Sequence, residues 1–268
     1  MISLHHSFIP IRQRSLLWQF ARREVLGRYR GSLLGLMWAF LTPLLMLGVY
    51  SFVFVGVFRA KWPGALEGGG LEFALQVFAG LIVFNFFAEV ASRAPNLIVE
   101  QPNLVKKVIF PVELLTWVSV LSGLFHFVIS AASLLLVLLF TRGGLPVSVL
   151  ALPVVLLPFL PFLVGLGWLL SSLGVFVRDI GQAMTMVVAL TMFMSPVFYS
   201  VATLDVRWQF WMNLNPLTLI IEQVRTVALL GQWPAWELLG LYFLFACGFA
   251  AISAGFFQLT RKGFADVL

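Results

Sequence analysis

Few side chains in this 268-residue sequence combine an ionisable group with a place inside an apolar run. Glu72, Glu89, Glu113 and Glu237 fall near the ends of such runs, and His126 is the one titratable residue well inside a run. A histidine there could relay protons or form a hydrogen bond between helices. The carboxylates give no sign of a mid-membrane proton site, so proton-coupled transport is disfavoured.

Motifs for nucleotide, metal or covalent chemistry are missing from the sequence. No GxxxxGK[S/T] stretch occurs, so the chain cannot bind ATP through a phosphate loop. Nothing in it resembles a catalytic triad, a pair of acids for glycosyl chemistry or a metal-ligand cluster. The single cysteine, Cys247, lies inside an apolar run. We therefore expect no catalytic residue and no metal site.

The elements that carry these side chains are long apolar runs, which predict an all-α polytopic membrane protein. Hydrophobic residues make up 61% of the chain and charged residues 10%, whereas soluble domains carry about 25% charged residues. A membrane-crossing helix needs about 20 apolar residues. We predict one transmembrane domain over residues 1–268, with six spans at 33–58, 71–91, 112–140, 145–177, 181–201 and 236–258.

The basic residues predict the orientation of these spans. Twelve Lys and Arg residues fall in segments on one side, six of them before the first span, against five on the other side. The positive-inside rule then places both termini in the cytoplasm. The net charge of +6 is thus a topology signal, with anionic lipid headgroups rather than nucleic acid as the expected partner.

The segment before the first span, 11–30, has two distinct faces at helical spacing. Leu17, Trp18, Ala21, Val25 and Tyr29 share one face, and basic and polar side chains share the other. This pattern predicts a helix lying in the membrane interface with its apolar face down. The alternative is a basic leader that only orients the first span.

Two further segments interrupt the spans. The 95–110 loop is punctuated by prolines that leave room for short helices, so it predicts a cytoplasmic docking element or a solvated connector. The 202–230 segment is too polar to span and too apolar for a free loop, and Asn215–Pro216 divides it. It predicts two short helices dipping in from the outer face, or alternatively an interfacial aromatic belt.

Five stretches, in order along these runs, resemble the sequence of one family. They are GLMWAFLTP and YSFVF in the first run (35–54), NLVKKVIFPVE (103–113), VRDI and SPVFY about the fifth run (177–199), NPLT with Glu222 and Arg225 (215–225), and GFADVL (263–268). The chain resembles, almost end to end, the membrane-spanning permease subunit of ABC polysaccharide exporters. That family moves O-antigen, capsular polysaccharide and teichoic acid.

The resemblance implies one half of a transporter in the bacterial inner membrane. A second copy of the chain would complete the conduit, and a dimer of a separate cytoplasmic ATPase would bind ATP and Mg and drive transport. The cargo would be an O-antigen-like polysaccharide linked to undecaprenyl diphosphate, taken from the cytoplasmic side. Membrane lipids are the other expected partner.

The resemblance also implies roles for individual residues. Aromatic side chains suit contact with sugar rings, and arginines offer a diphosphate both charge and paired donors. The 95–110 loop would contact the ATPase, and the 202–230 helices would shape the periplasmic gate. The candidates are Trp38, Tyr50, Phe54 and Tyr199 for the channel; Arg22, Arg23, Arg28 and Arg30 for the lipid diphosphate; Lys106, Lys107, Phe110 and Glu113 for ATPase coupling; and Asn215, Pro216, Glu222 and Arg225 for the gate.

Three other functions stay open at this point. A drug or lipid exporter of the same broad ABC class would share the ATP coupling but not the cargo. A flippase-like carrier or scaffold without an ATPase would act in ATP-free vesicles. An intramembrane enzyme would release a chemically altered product.

Overall fold

The computed structural model describes residues 13–58, 62, 70–106 and 110–268, except the side chains of Val55, Val105 and Lys106. Lys107, a predicted coupling residue, lies outside the described residues. The regular structure of the described part is helical. Its twelve α-helices are α1 (Arg14–Tyr29), α2 (Met37–Tyr50), α3 (Gly70–Arg93), α4 (Pro102–Lys106), α5 (Leu114–Arg142), α6 (Leu152–Leu156), α7 (Phe159–Phe176), α8 (Ile180–Phe193), α9 (Val206–Leu214), α10 (Pro216–Ala228), α11 (Trp236–Thr260) and α12 (Phe264–Val267).

Short tighter or wider turns extend several of these helices. A π-helical stretch, Ser51–Val57, continues α2, and 3₁₀ turns occupy Ala94–Asn96, Val147–Ala151, Val201–Thr203 and Arg261–Gly263. The predicted fourth span is broken in this way: α6 ends before Pro158, which is the N-cap of α7. Proline lacks the backbone N–H that a helix interior needs, so the break lies where the sequence places this residue.

Five predicted spans are present as helical segments long and apolar enough to cross a membrane. They are Met37–Phe54, Gly70–Asn96, Leu114–Arg142, Val147–Phe176 and Trp236–Val267. The remaining prediction, 181–201, contains α8, which has 14 residues. At 1.5 Å per residue α8 is roughly 21 Å long, short of the ~30 Å hydrocarbon core. A sixth crossing therefore stays a prediction.

Helix α3 is the centre of the bundle. In its apolar window 83% of the residues are buried, against 11% for Met37–Phe54. It packs against α2, α5, α7, α8 and α10, while α7 pairs closely with α11. Gly165 permits that second pairing, since a Cβ there would lie 2.8 Å from the Cα of Ala250. Close backbone approach at small residues is the usual basis of helix packing in membranes.

Helix α1 packs on α5, and this contact changes part of the sequence interpretation. Ala21 and Val25, from the predicted lipid-facing stripe, are buried. Trp18, from the same stripe, has 67% of its surface exposed. The helix is thus present, but its small apolar residues contact protein and only part of the stripe is free for lipid.

The two interrupted segments contain helices close to those predicted. Within 95–110 the helix is α4, a single turn that reaches the C-terminal helix α12. Within 202–230, α9 and α10 are separated at Asn215, which is the C-cap of one and the N-cap of the other. Whether this pair dips into the membrane remains a prediction.

Candidate functional site

A cavity of about 430 Å³ lies between the end of α1 and helices α2, α3 and α5. It brings together three predicted residues from two groups: Arg28 of the diphosphate group, and Trp38 and Tyr50 of the channel group. Glu89 and His126 complete its charged end. The rest of its lining is mainly apolar and aromatic, with Thr42, Asn85 and Ser130 as polar members. A pocket with one polar end and apolar walls is typical of a site for an amphipathic ligand.

The charged end of the cavity is a three-residue network. The Nη2 of Arg28 donates to Oε1 of Glu89 at 2.6 Å, and Nδ1 of His126 lies 2.9 Å from Oε2 of the same carboxylate. The Nη1 of Arg28 is 3.3 Å from Nδ1 of His126. If Nδ1 donates to Glu89 it cannot also accept from Arg28, so the carboxylate links both partners. Glu89 thus connects α1 and α5 through α3.

The other three diphosphate candidates are not in this cavity. Arg22 borders a separate apolar groove of about 410 Å³ between α1 and α5. Arg23 is exposed, with its guanidinium 5.8 Å from the ring centre of Phe20. Arg30 is exposed at the C-cap of α1. Their part in phosphate binding stays a prediction without a shared pocket.

One remaining channel candidate, Phe54, belongs to an aromatic cluster beside the cavity. The Phe54 ring is 6.4 Å from Tyr50 and 5.8 Å from Phe198, measured between ring centres. The Tyr199 hydroxyl donates to the backbone oxygen of Phe193 at 3.2 Å. Tyr50 is therefore the residue that joins the cluster to the cavity wall, and the pore-facing role of the others stays a prediction.

The coupling candidates that the structure describes serve internal contacts. Phe110 is buried and its ring centre lies 5.1 Å from that of Phe20 on α1. Glu113 pairs with Arg261 at 3.2 Å, and its backbone oxygen accepts from the Trp168 indole at 3.2 Å. The end of the 95–110 loop is thus fixed to α1, α7 and the C-terminal segment.

Asn215 and Pro216, two gate candidates, form the start of α10. The Asn215 side chain accepts a hydrogen bond from the Leu217 N–H at 2.9 Å, and its amide donates to the backbone oxygen of Met194 at 3.0 Å. Pro216 occupies the first helical turn, where its missing N–H costs nothing. The same amide also donates to Ser195 at 2.9 Å, so this corner ties α10 to the end of α8.

Arg225 holds α10 against the core of the protein. Its guanidinium donates to the backbone oxygens of Gln76 at 3.0 Å and Val197 at 2.7 Å, and it pairs with Glu222 at 3.2 Å. Only 1% of the residue is exposed, and the Trp62 ring centre is 4.7 Å away. Burial lowers the pKa of Arg225 to about 10, and Glu222 opposes that change. The side chain is therefore a buried cation at neutral pH.

Sequence reasoning missed the part that α3 plays in the cavity. Asn85 is the exposed residue in the otherwise buried stretch 73–87, and it lines the cavity. The position of Glu89 near the end of an apolar run gives no sign from sequence that it lines a cavity. The two are four residues apart, so they share one helix face, and that spacing could have identified them as a pair. His126 does form the interhelical contact considered from sequence.

A second cavity, of about 670 Å³, lies between α10 and α11 and includes Asn215, Pro216 and Glu222. Three gate candidates thus border one space. Within the described part of the chain, no group of three or more His, Cys, Asp or Glu side chains could hold a metal ion.

Comparison with known proteins places these features in context. Residues 15–229 match the family model described as "ABC-2 type transporter". An O-antigen export system permease protein RfbA of Myxococcus xanthus is 29% identical over 256 residues, which covers 94% of this chain and 95% of the relative. A protein of the same name from Klebsiella pneumoniae is 22% identical over 255 residues, with the same coverage. The similarity therefore includes the cavity, the 95–110 loop and helices α9 and α10.

Proposed function

The chain belongs to the ABC-2 type transporter family, and from that premise we propose that it is the transmembrane subunit of an ATP-driven polysaccharide exporter. The cargo is an O-antigen-like glycan linked to undecaprenyl diphosphate, moved from the cytoplasmic side across the bacterial inner membrane. The observation that carries this proposal is the similarity over 94% of the chain to permeases of O-antigen export.

The ATPase is a separate chain under this proposal. The sequence has no phosphate loop of its own, so ATP and Mg bind to a cytoplasmic partner dimer. The 95–110 loop is the contact for that partner. Its far end is anchored through Phe110 to α1 and through Glu113 to Arg261, so closure of the ATPase would reach the interfacial helix and the last span together.

A second copy of the chain completes the conduit. Helices α2 and α8 support this, because both expose large apolar side chains along much of their length: in α8 only Met184 is buried. Both also lead into the aromatic cluster of Tyr50, Phe54 and Phe198, since Tyr50 ends α2 and the two phenylalanines lie in the stretches that follow α2 and α8. Pairing across these faces would enclose the aromatic residues proposed for the channel. Six crossings with both termini in the cytoplasm follow if α8 and residues 194–201 together complete one span.

The cavity is the proposed place of the lipid headgroup. Its cation, Arg28, lies at the end of α1, the helix predicted to lie at the membrane interface, which is the depth of a phosphate group. The aromatic wall with Trp38 and Tyr50 would receive the first sugars. Arg225 and the α9–α10 pair would form the outer gate, where the glycan leaves.

A drug or lipid exporter of the same family is the alternative, and one observation favours it. The groove of about 410 Å³ between α1 and α5 is lined by apolar residues apart from Arg22, and it suits an acyl chain or a small hydrophobic compound.

Reconstitution separates the two proposals. The chain is purified with its ATPase partner, placed in vesicles, and supplied with either lipid-linked glycan or small hydrophobic compounds. ATP-dependent movement of the glycan into a protected compartment is the expected result. Stimulation of ATP hydrolysis by hydrophobic compounds, with the glycan left in its original leaflet, would favour the alternative.

A further inference from the structure

At the charged end of the cavity, Arg28 is paired with a carboxylate that another anion could displace. Glu89 engages Nη2 of Arg28, while the Arg28 side chain keeps 39% of its surface exposed. A guanidinium has five N–H donors in a planar fork, and phosphate and carboxylate oxygens suit that fork equally well. Glu89 therefore binds the same guanidinium group that an incoming phosphate would need.

Removing Glu89 from Arg28 does not leave the carboxylate alone. An unpaired buried carboxylate would be costly, and Glu89 keeps 13% of its side-chain surface exposed. However, Oε2 of Glu89 already lies 2.9 Å from Nδ1 of His126. The histidine can retain the carboxylate when Arg28 turns to another anion. His126 has no other charged partner among the described contacts of its ring besides Arg28 and Glu89.

There is also room for the incoming group. Asn85, one helical turn before Glu89, is exposed to the cavity. Its amide can donate to a phosphate oxygen, and Thr42 on α2 contributes a hydroxyl to the same wall. The cavity that Arg28 lines has a volume of about 430 Å³, which leaves space for a diphosphate group.

We propose that the cavity is a diphosphate site in which Glu89 is a built-in competitor, exchanging with the ligand at Arg28 while His126 retains the released carboxylate. This inference rests on the proposed function and adds two states of the site to it. In the empty site Arg28 is paired with Glu89, and in the occupied site Arg28 is paired with the diphosphate. Release of Glu89 alters the link between α1 and α3, because the Arg28–Glu89 bond joins those helices directly. Arrival of the substrate would thereby break one of the two ion pairs that join α1 and α3, while the pair between Glu24 and Arg93 remains.

The test is equilibrium binding to the full chain with its ATPase partner in lipid nanodiscs, without ATP. The probes are farnesyl diphosphate and inorganic diphosphate. Glu89→Gln removes the competitor and is expected to tighten binding about 2- to 5-fold, the scale of one partly exposed ion pair. Arg28→Gln removes a charge-assisted donor and is expected to weaken binding about 10-fold or more. Arg14→Gln, an equal loss of charge at the exposed N-terminal end of α1, is the matched control and is expected to bind as the wild type.

His126 supplies an independent test of the exchange. His126→Phe leaves the released carboxylate without a partner, so binding is expected to weaken, whereas His126→Gln keeps a donor and is expected to restore it. The double variant Arg28→Gln with Glu89→Gln replaces the ion pair by a neutral hydrogen-bonded pair. It controls for folding and is expected to bind as weakly as Arg28→Gln alone.

The two probes distinguish the source of the diphosphate. The expected ranking with farnesyl diphosphate alone assigns the site to a lipid headgroup, and the same ranking with both probes assigns it to diphosphate in general. Unchanged or weakened binding in Glu89→Gln overturns the proposal, as does wild-type binding in Arg28→Gln. These measurements involve no transport. The proposed diphosphate site can therefore be refuted while the proposed export function holds, and export can be refuted while the binding result holds.

Discussion

Arg225 offers a stability test whose magnitude follows from its contacts. Replacement by glutamine removes the charge and shortens the side chain, so the backbone oxygens of Val197 and Gln76 lose donors now at 2.7 and 3.0 Å. A hydrogen bond from a charged donor contributes about 1.5–3 kcal/mol. The shorter amide can replace one of the two at most. We therefore expect Arg225→Gln to lower the free energy of unfolding by about 2–4 kcal/mol.

Thermal unfolding in nanodiscs, followed by tryptophan fluorescence, measures this change. A loss of that size lowers Tm by roughly 5–15 °C for a chain of this length. Arg207→Gln is the matched control, because Arg207 lies on the neighbouring helix α9 and is exposed; a surface change of this kind costs about 0.5 kcal/mol or less. Arg225→Lys keeps the charge but not the fork, so its Tm should fall between the two. Equal Tm values for Arg225→Gln and Arg207→Gln would refute the role of the buried guanidinium.

Two further predictions follow from other parts of the fold. Gly174→Ala places a Cβ 2.1 Å from the backbone oxygen of Pro95, so it should destabilise the protein by about 1–3 kcal/mol and lower the monodisperse fraction in size-exclusion chromatography. The control Gly240→Ala, whose new Cβ has nothing within 4 Å, should behave as the wild type. Equal chromatographic profiles for the two variants would contradict this packing. Replacing Lys106 and Lys107 together by glutamine should increase the number of ATP molecules hydrolysed per glycan exported, because the 95–110 loop is the proposed ATPase contact. An unchanged ratio in reconstituted vesicles would show that the loop is only a connector.

The long helices could be predicted from sequence because lipid imposes a simple length and composition rule. Runs such as Gly70–Asn96 and Leu114–Arg142 satisfy it without reference to their neighbours. The rule is weaker where a run is interrupted. The predicted 181–201 span yields a helix that ends at Phe193, because Pro196 and the turn about it follow, and composition alone does not show where a helix stops.

The cavity could be predicted only in part. Arg28 and Tyr50 were identified through the resemblance, but their meeting with Glu89 depends on how α1, α2 and α3 are rotated about their axes. Apolar runs leave that rotation undetermined, since every face of such a helix is apolar. Two polar residues four apart, Asn85 and Glu89, were the available sign of the cavity-facing side of α3.

The burial of Arg225 is a second feature that the sequence could not predict. The sequence predicts that Arg225 lies on the outer side, and the resemblance implies a role in the gate. The buried position depends on backbone oxygens of Gln76 and Val197, which come from segments far away along the chain. Backbone acceptors carry no sequence signal, so a buried arginine paired mainly with them cannot be recognised in advance.

Deletion of the gene in its host, followed by separate detection of long lipid-linked polysaccharide inside and outside the cell, tests the central claim most directly. The account predicts that polymer accumulates in the cytoplasm, is absent from the surface, and returns to the surface when the intact gene is restored. Normal surface polymer with no internal accumulation would contradict it.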